Sequence, residues 1–217
     1  MSLSLNLLIV IFAILTGLLF VSEWSDHPIT SDIVIIDSSP FLEAELQRYK
    51  SVIGDDFNGY RGHLFRVYSY TMHFLEAENV EKFKNVIEIA LVYHDIALWT
   101  HSRFDYIDPS AELAMHEFKN VFNKEELKLM EDLICFHHKF TDYVGPHDKI
   151  VNAFRKADWI DASFGILKKG ISAKNVRAVM GAIPEEGFHA TLAGFGPKLR
   201  GLNIPKIVVE LSSIFRF

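Results

Sequence analysis

The stretch that decides the fold runs from Phe83 to Trp99 and reads FKNVIEIALVYHDIALW. Its apolar residues fall on nearly every side of a helix, the pattern of a helix buried inside a domain rather than lying on its surface. Near its end this segment carries His94 and Asp95, and His94 aligns with Ile87, Leu91 and Leu98. Burying an imidazole beside a carboxylate costs on the order of several kcal/mol unless both are paired or hold a metal. The stretch therefore predicts both a central helix and a site.

Helical periodicity continues on either side of it. Helices are expected over about 41–53, 60–77, 80–98, 109–122, 124–139, 148–168, 173–182 and 205–215, with Asp108 as an N-cap and Pro109 opening the helix near 109. Pro184 to Pro205, rich in Gly and Pro, reads as an irregular loop. No alternating strand pattern of useful length and no internal repeat occurs, so the fold class expected is an all-α helical bundle.

The chain has 217 residues, one cysteine and ten histidines, with 22 Lys+Arg against 28 Asp+Glu and a net charge of −6. One cysteine excludes a disulfide scaffold and a Cys-rich zinc module. The acidic balance argues against a nucleic-acid polymer as partner. All six surplus acids lie between Glu23 and Glu45, so from Arg48 onward basic and acidic residues balance and the body is neutral. From Met1 to Ser22 there is no charged side chain; Leu3–Val21 as a helix would span about 28 Å, close to the hydrocarbon core of a bilayer. The expected organisation is a hydrophobic single-pass membrane anchor over 1–22, an acidic tether over 23–47, and a helical domain over 48–217. A cleaved signal peptide is the rival for the first segment. The side of the membrane is left open, because the first basic residue is Arg48.

Two further helices offer chemistry from inward faces, making three with the helix that carries His94 and Asp95. His63 shares a stripe with Val67, Tyr70 and Phe74, whereas His73 points off it. Asp158 follows Val151 and Phe154 by two turns and one, with Asp161 a turn later. His63, His94, Asp95 and Asp158 thus converge as imidazoles and carboxylates, a donor set suited to Zn, Mn, Fe, Co or Ni. The competing reading of each is a hydrogen-bonded polar group in the core. Cys135 reads as core.

The contexts RGHLFRVYSY at 61–70, LVYHDIAL at 91–98 and RKADWIDAS at 155–163, with I-x-x-H ending at His137 between them, resemble the HD-domain superfamily of metal-dependent hydrolases. The resemblance covers residues from about 58 to 166. RFDYIDPSAELA at 103–114 is also similar to a segment of its cyanamide hydratase-like branch. The resemblance implies a helical bundle around a divalent transition metal held by His63, His94, Asp95 and Asp158. The activity it implies is hydrolysis of a phosphate ester or nucleotide by a metal-activated water, with Asp95 also orienting the water. The alternatives are a hydrolase or hydratase of a small nitrile, a di-iron oxygenase on the same fold, and a membrane-tethered nucleotide sensor without turnover.

His116, His137 and His138 are candidates for a second metal. His137 lies over Met130, Leu133 and Ile134, His138 shares a stripe with Glu131, and His116 sits opposite its helix's apolar face. One metal is therefore expected, with His137 contacting substrate or water as a catalytic residue. Arg66, one turn after His63, and Lys156, just before Asp158, are the expected phosphate contacts. His101 and Arg103 follow the HD pair in a loop, and Glu185, Glu186 and His189 are a candidate lid.

Overall fold

The computed structural model describes residues 29, 31–75, 80–102 and 105–200. Its helices are α1 (Pro40–Gln47), α2 (Lys50–Ile53), α3 (Phe57–Phe74), α4 (Val80–Tyr93), α5 (Ala97–Thr100), α6 (Ile107–Phe118), α7 (Lys124–Phe136), α8 (Asp148–Ala162), α9 (Ala173–Ala182) and α10 (Phe188–Arg200). Among the described residues there is no β-strand, and an isolated bridge joins Ile29 to Ile171. The described chain is all-α, as expected.

The helix containing the deciding stretch is central. Helix α4 packs against α1, α3, α6 and α7, and Val86, Ile87, Ile89, Ala90, Leu91, Val92 and Tyr93 are all buried, so every side of its last two turns meets protein. Its buried Glu88 is satisfied by the Tyr68 hydroxyl at 2.8 Å. Helix α3 lies along α8, the most extensive helix pair of the fold. On α3, Gly62 lets the chain at Pro184 approach closely: a Cβ there would stand 2.6 Å from the Pro184 carbonyl oxygen. Helix α7 opens on a capping box, Asn123 accepting from the backbone of Glu125 and Glu126 while Glu126 accepts from the Asn123 N–H.

Several boundaries differ from expectation. Helix α4 ends at Tyr93, and His94, Asp95 and Ile96 form a turn before α5. Helix α6 begins at Ile107, so Pro109 is its third residue; its missing N–H is still one that no intrahelical carbonyl would have met. Residues 188–200, read as loop, form α10. Phe188, Leu192 and Phe195 recur at helical spacing and turn inward, and Glu185 accepts from the N–H groups of Gly187 and His189. That burial outweighs the roughly 1 kcal/mol that each helical glycine costs.

The segment read as tether joins the body well before residue 47. Leu42 and Leu46 of α1 are buried, Ile33, Ile35 and Ile36 pack against the core, and the Ile36 N–H donates to Ser69 Oγ at 2.9 Å. Among the described residues no helix is long and apolar enough to cross a membrane. Leu3–Val21, Arg103 and the helix expected over 205–215 lie outside the described residues.

Candidate metal centre

Four elements bring their side chains to one buried point. Helix α3 contributes His63 from its second turn, the turn after α4 contributes His94 and Asp95, α7 contributes His137 at its C-cap and His138 just beyond, and α8 contributes Asp158. On an unbroken helix, neighbours such as His94 and Asp95 diverge by about 100°. The break after Tyr93 lets both face the same point, with His94 Nε2 3.3 Å from Asp95 Oδ2. His63, His94, Asp95, His137 and Asp158 are all buried.

The two carboxylates stand between two pairs of imidazoles. On one side, His63 Nε2 and His94 Nε2 lie 3.0 Å apart; Asp158 Oδ1 is 3.5 and 3.7 Å from them, and Asp95 Oδ2 is 3.8 and 3.3 Å away. On the other, His137 Nε2 is 3.5 Å from Asp95 Oδ1, and His138 Nδ1 is 3.6 Å from Asp158 Oδ2. His63, His94 and Asp158 form one group able to hold a metal ion, and Asp95, His137 and His138 form another.

Hydrogen bonds behind the histidines set which nitrogen carries the proton. His94 Nδ1 is 2.7 Å from the Leu91 carbonyl oxygen and His137 Nδ1 is 2.6 Å from that of Ile134. His63 Nδ1 is 2.8 Å from Asp161 Oδ2. These oxygens only accept, so each Nδ1 donates and each Nε2 presents a lone pair inward, the arrangement typical of metal-ligating histidines. Two lone pairs 3.0 Å apart repel unless a proton or a cation sits between them. In addition, Asp95 Oδ1, His137 Nε2 and Asp158 Oδ2 are buried without a hydrogen-bond partner. Each such atom costs about 1–3 kcal/mol, and more when charged. These donor types, with ligand atoms aimed at a common point, fit divalent cations.

The electrostatics agree. Burial disfavours a charge on His94, but the Asp95 and Asp158 carboxylates outweigh it and push the imidazole up to about 10. Burial also disfavours the Asp95 and Asp158 charges, and the surrounding imidazoles nonetheless hold both carboxyls below the usual range. Burial and the neighbouring His137 lower His138 to about 3, which keeps it neutral and able to ligate. Without a cation, a proton on His94 is what balances the carboxylates.

Behind the centre, Asp161 accepts from His63 Nδ1 and from Arg66 twice, at 2.5 Å from Nε and 2.9 Å from Nη2. Arg66 Nη1 donates to the Pro184 carbonyl oxygen at 2.8 Å. Arg66 is thus buried behind His63 with its donors engaged, and the geometry does not present it to a substrate. Lys156 is also displaced from its expected role. Two residues on a helix are about 200° apart; with Asp158 facing inward, Lys156 lies over the Phe74 ring and lines, with Leu75, Lys149 and Asn152, a separate cavity of about 350 Å³. His116 stands on the surface with its side chain 71% exposed, so the ligand set that needs it is not assembled.

His138, a second-metal candidate, and His189, a lid candidate, take places at the centre that their spacing did not specify, and Phe188 carried no specific site signal. His138 stacks against His137 with ring centroids 4.0 Å apart and approaches the Tyr106 hydroxyl at 2.5 Å through Nε2. Phe188 of α10 stacks on His63, centroids 4.1 Å apart. His189 Nε2 donates to the Asp161 carbonyl oxygen at 2.7 Å, which ties the start of α10 to α8. The signals for these were the HH doublet closing an amphipathic helix and an F-H doublet after Gly187; neither is specific in isolation.

No family model matches this chain, and no curated protein or solved structure matches it.

Proposed function

We propose that the chain is an HD-domain-like metal-dependent hydrolase that binds two divalent transition-metal ions and acts on a phosphate ester or nucleotide. The observation that carries this reading is the pair of buried carboxylates, Asp95 and Asp158, each with one oxygen toward His63 and His94 and the other toward His137 or His138. His63, His94 and Asp158 would hold one ion, His137 and His138 the other, and Asp95 would serve both. Bound cations would supply Lewis-acid polarisation and an activated water at neutral pH. Two divalent ions against two carboxylates leave the cluster positive, which suits an anionic substrate without help from Arg66 or Lys156. The protein's part is to hold ligand nitrogens deprotonated and inward, which the Leu91, Ile134 and Asp161 oxygens do. In this reading Leu3–Val21 tethers the body to a membrane.

The test is hydrolysis of p-nitrophenyl phosphate and a panel of nucleotides by the full chain loaded with Mn²⁺, Co²⁺ or Zn²⁺. Turnover that disappears in His94→Ala and Asp95→Ala supports the assignment. Full activity in either variant refutes it.

A further inference from the structure

The loop after α8, residues 163–171, presents two apolar side chains to solvent while its neighbours lock it in place. Phe164 is 56% exposed and Ile166 is 73% exposed. Beyond them Leu167 and Ile171 are buried. Gly165 has φ +71 and sits so close to α9 that a Cβ there would stand 2.4 Å from Val176 Cγ1. The Gly165 N–H donates to the Ile160 carbonyl oxygen at 2.7 Å. Phe164 itself has a positive φ of 55, an uncommon conformation for an aromatic residue, and stacks on His189. The exposure of Ile166 is thus built into a fixed turn.

The same loop is where the N-terminal chain meets the body. The Ile29 N–H donates to the Gly170 carbonyl oxygen at 2.7 Å, and Ile29 bridges Ile171. From Val21, the last residue of the hydrophobic stretch, to Ile29 the chain reaches at most about 29 Å even when fully extended. A domain of this size is about 40 Å across. The leash is therefore shorter than the body is wide, and it is fastened four residues from Ile166. A face tethered so closely to a bilayer meets it at high effective concentration. Exposed apolar residues beside a lysine, here Lys168, have the character of interfacial contacts.

We infer that Phe164 and Ile166 insert into the headgroup–acyl boundary of the bilayer that carries Leu3–Val21, so that the body docks on the membrane by its 163–171 loop. This rests on Leu3–Val21 being inserted in that bilayer. Docking there orients the body, with Ile166 toward lipid and the α7–α8 connection, at the other end of α8, away from it.

The experiment uses the full chain in a Cys135→Ala background, with a bimane label on Ile166→Cys or, as control, on Val144→Cys. Val144 is 90% exposed and lies beyond the opposite end of α8, a helix about 22 Å long. Each protein is reconstituted into phosphatidylcholine vesicles with and without nitroxide-bearing acyl chains, and flotation is measured alongside emission. The expected result is co-flotation of both, with the label at 166 blue-shifted and quenched several-fold more than the label at 144. Co-flotation with equal quenching at the two positions overturns the docking face while leaving the anchor intact. Failure to float overturns the anchor reading and the docking face with it. A blue shift at 166 that follows protein concentration and ignores the nitroxide lipids means a second copy covers the loop, and also overturns the proposal.

Discussion

Replacing Asp161 by Asn tests how the centre is held from behind. The Asp161 carboxylate takes three donors, His63 Nδ1 at 2.8 Å and two Arg66 nitrogens at 2.5 and 2.9 Å, and is fully buried. An asparagine side chain has the same shape but only one acceptor oxygen, so its NH₂ faces either Arg66 Nε, in the place of Oδ1, or Arg66 Nη2 and His63 Nδ1 together, in the place of Oδ2. Either way it sets donor against donor beside a buried guanidinium. In the place of Oδ2 it also forces the His63 proton onto Nε2 and takes that nitrogen's lone pair from the centre. Breaking a buried charge pair by removing one partner costs about 3–5 kcal/mol. Asn keeps the volume and at least one hydrogen bond, so the lower end applies; at about 2–4 °C per kcal/mol for a chain of this length, about 3 kcal/mol is a fall in Tm of about 6–12 °C. Losing the partner that orients a ligating histidine typically weakens metal binding about 10- to 100-fold. The assay is Mn²⁺ titration calorimetry well below the variant's Tm, beside thermal unfolding of the cation-free protein. A variant that melts early but binds Mn²⁺ as tightly as the parent would show that Asp161 only stabilises the fold. That result would refute its role in positioning His63.

Other outcomes follow from the same geometry. Because His94 is raised from 6.5 to about 10 in the folded, cation-free protein, its contribution to stability is complete below about pH 6.5 and is lost as pH rises through about 10. Urea unfolding of the cation-free chain should show that decline, and Mn²⁺ binding at about pH 7 should release a proton, detectable as a buffer-dependent enthalpy. A flat profile with no proton release would contradict the paired state of His94. Tyr106→Phe removes the hydroxyl 2.5 Å from His138 Nε2 and should weaken the ion held by His137 and His138 by about 10-fold while sparing its neighbour; equal loss at both positions would argue against two separable ions. Lys156→Ala should leave metal affinity unchanged, since that side chain lies over Phe74 on the other side of α8; a loss beyond about threefold, or roughly 0.7 kcal/mol, would put it back at the centre.

Much of the centre was legible because helical spacing is a local property. His63, His94 and Asp158 could be placed on inward faces by counting from Val67, Leu91 and Phe154, and the structure brings all three together with Asp95. Where spacing misled, a helix had ended. A continuing helix would put His138 on the Glu131 stripe, but α7 stops at Phe136, so that angle no longer applies to it. Lys156 is close to Asp158 in sequence, but the helix turns it to the other side, over Phe74. Arg66 was placed near the right residue, but its partner Asp161 and the Pro184 carbonyl come from distant chain, and nothing local announces a guanidinium's destination. Helix α10 was missed because Gly194, Gly196 and Pro197 depress propensity, while the burial of Phe188 and Phe195 that overrides it is a tertiary effect.

The central claim is that Asp95 and Asp158, shared between two imidazole pairs, hold divalent cations. Mn²⁺ titration calorimetry of the cation-free full chain, with bound metal counted by mass spectrometry of the eluted ion, tests it most directly. Two ions per chain are expected in the parent, and their loss in Asp158→Asn. A cation-free chain that binds no divalent ion, with stability unchanged by Mn²⁺, would contradict it.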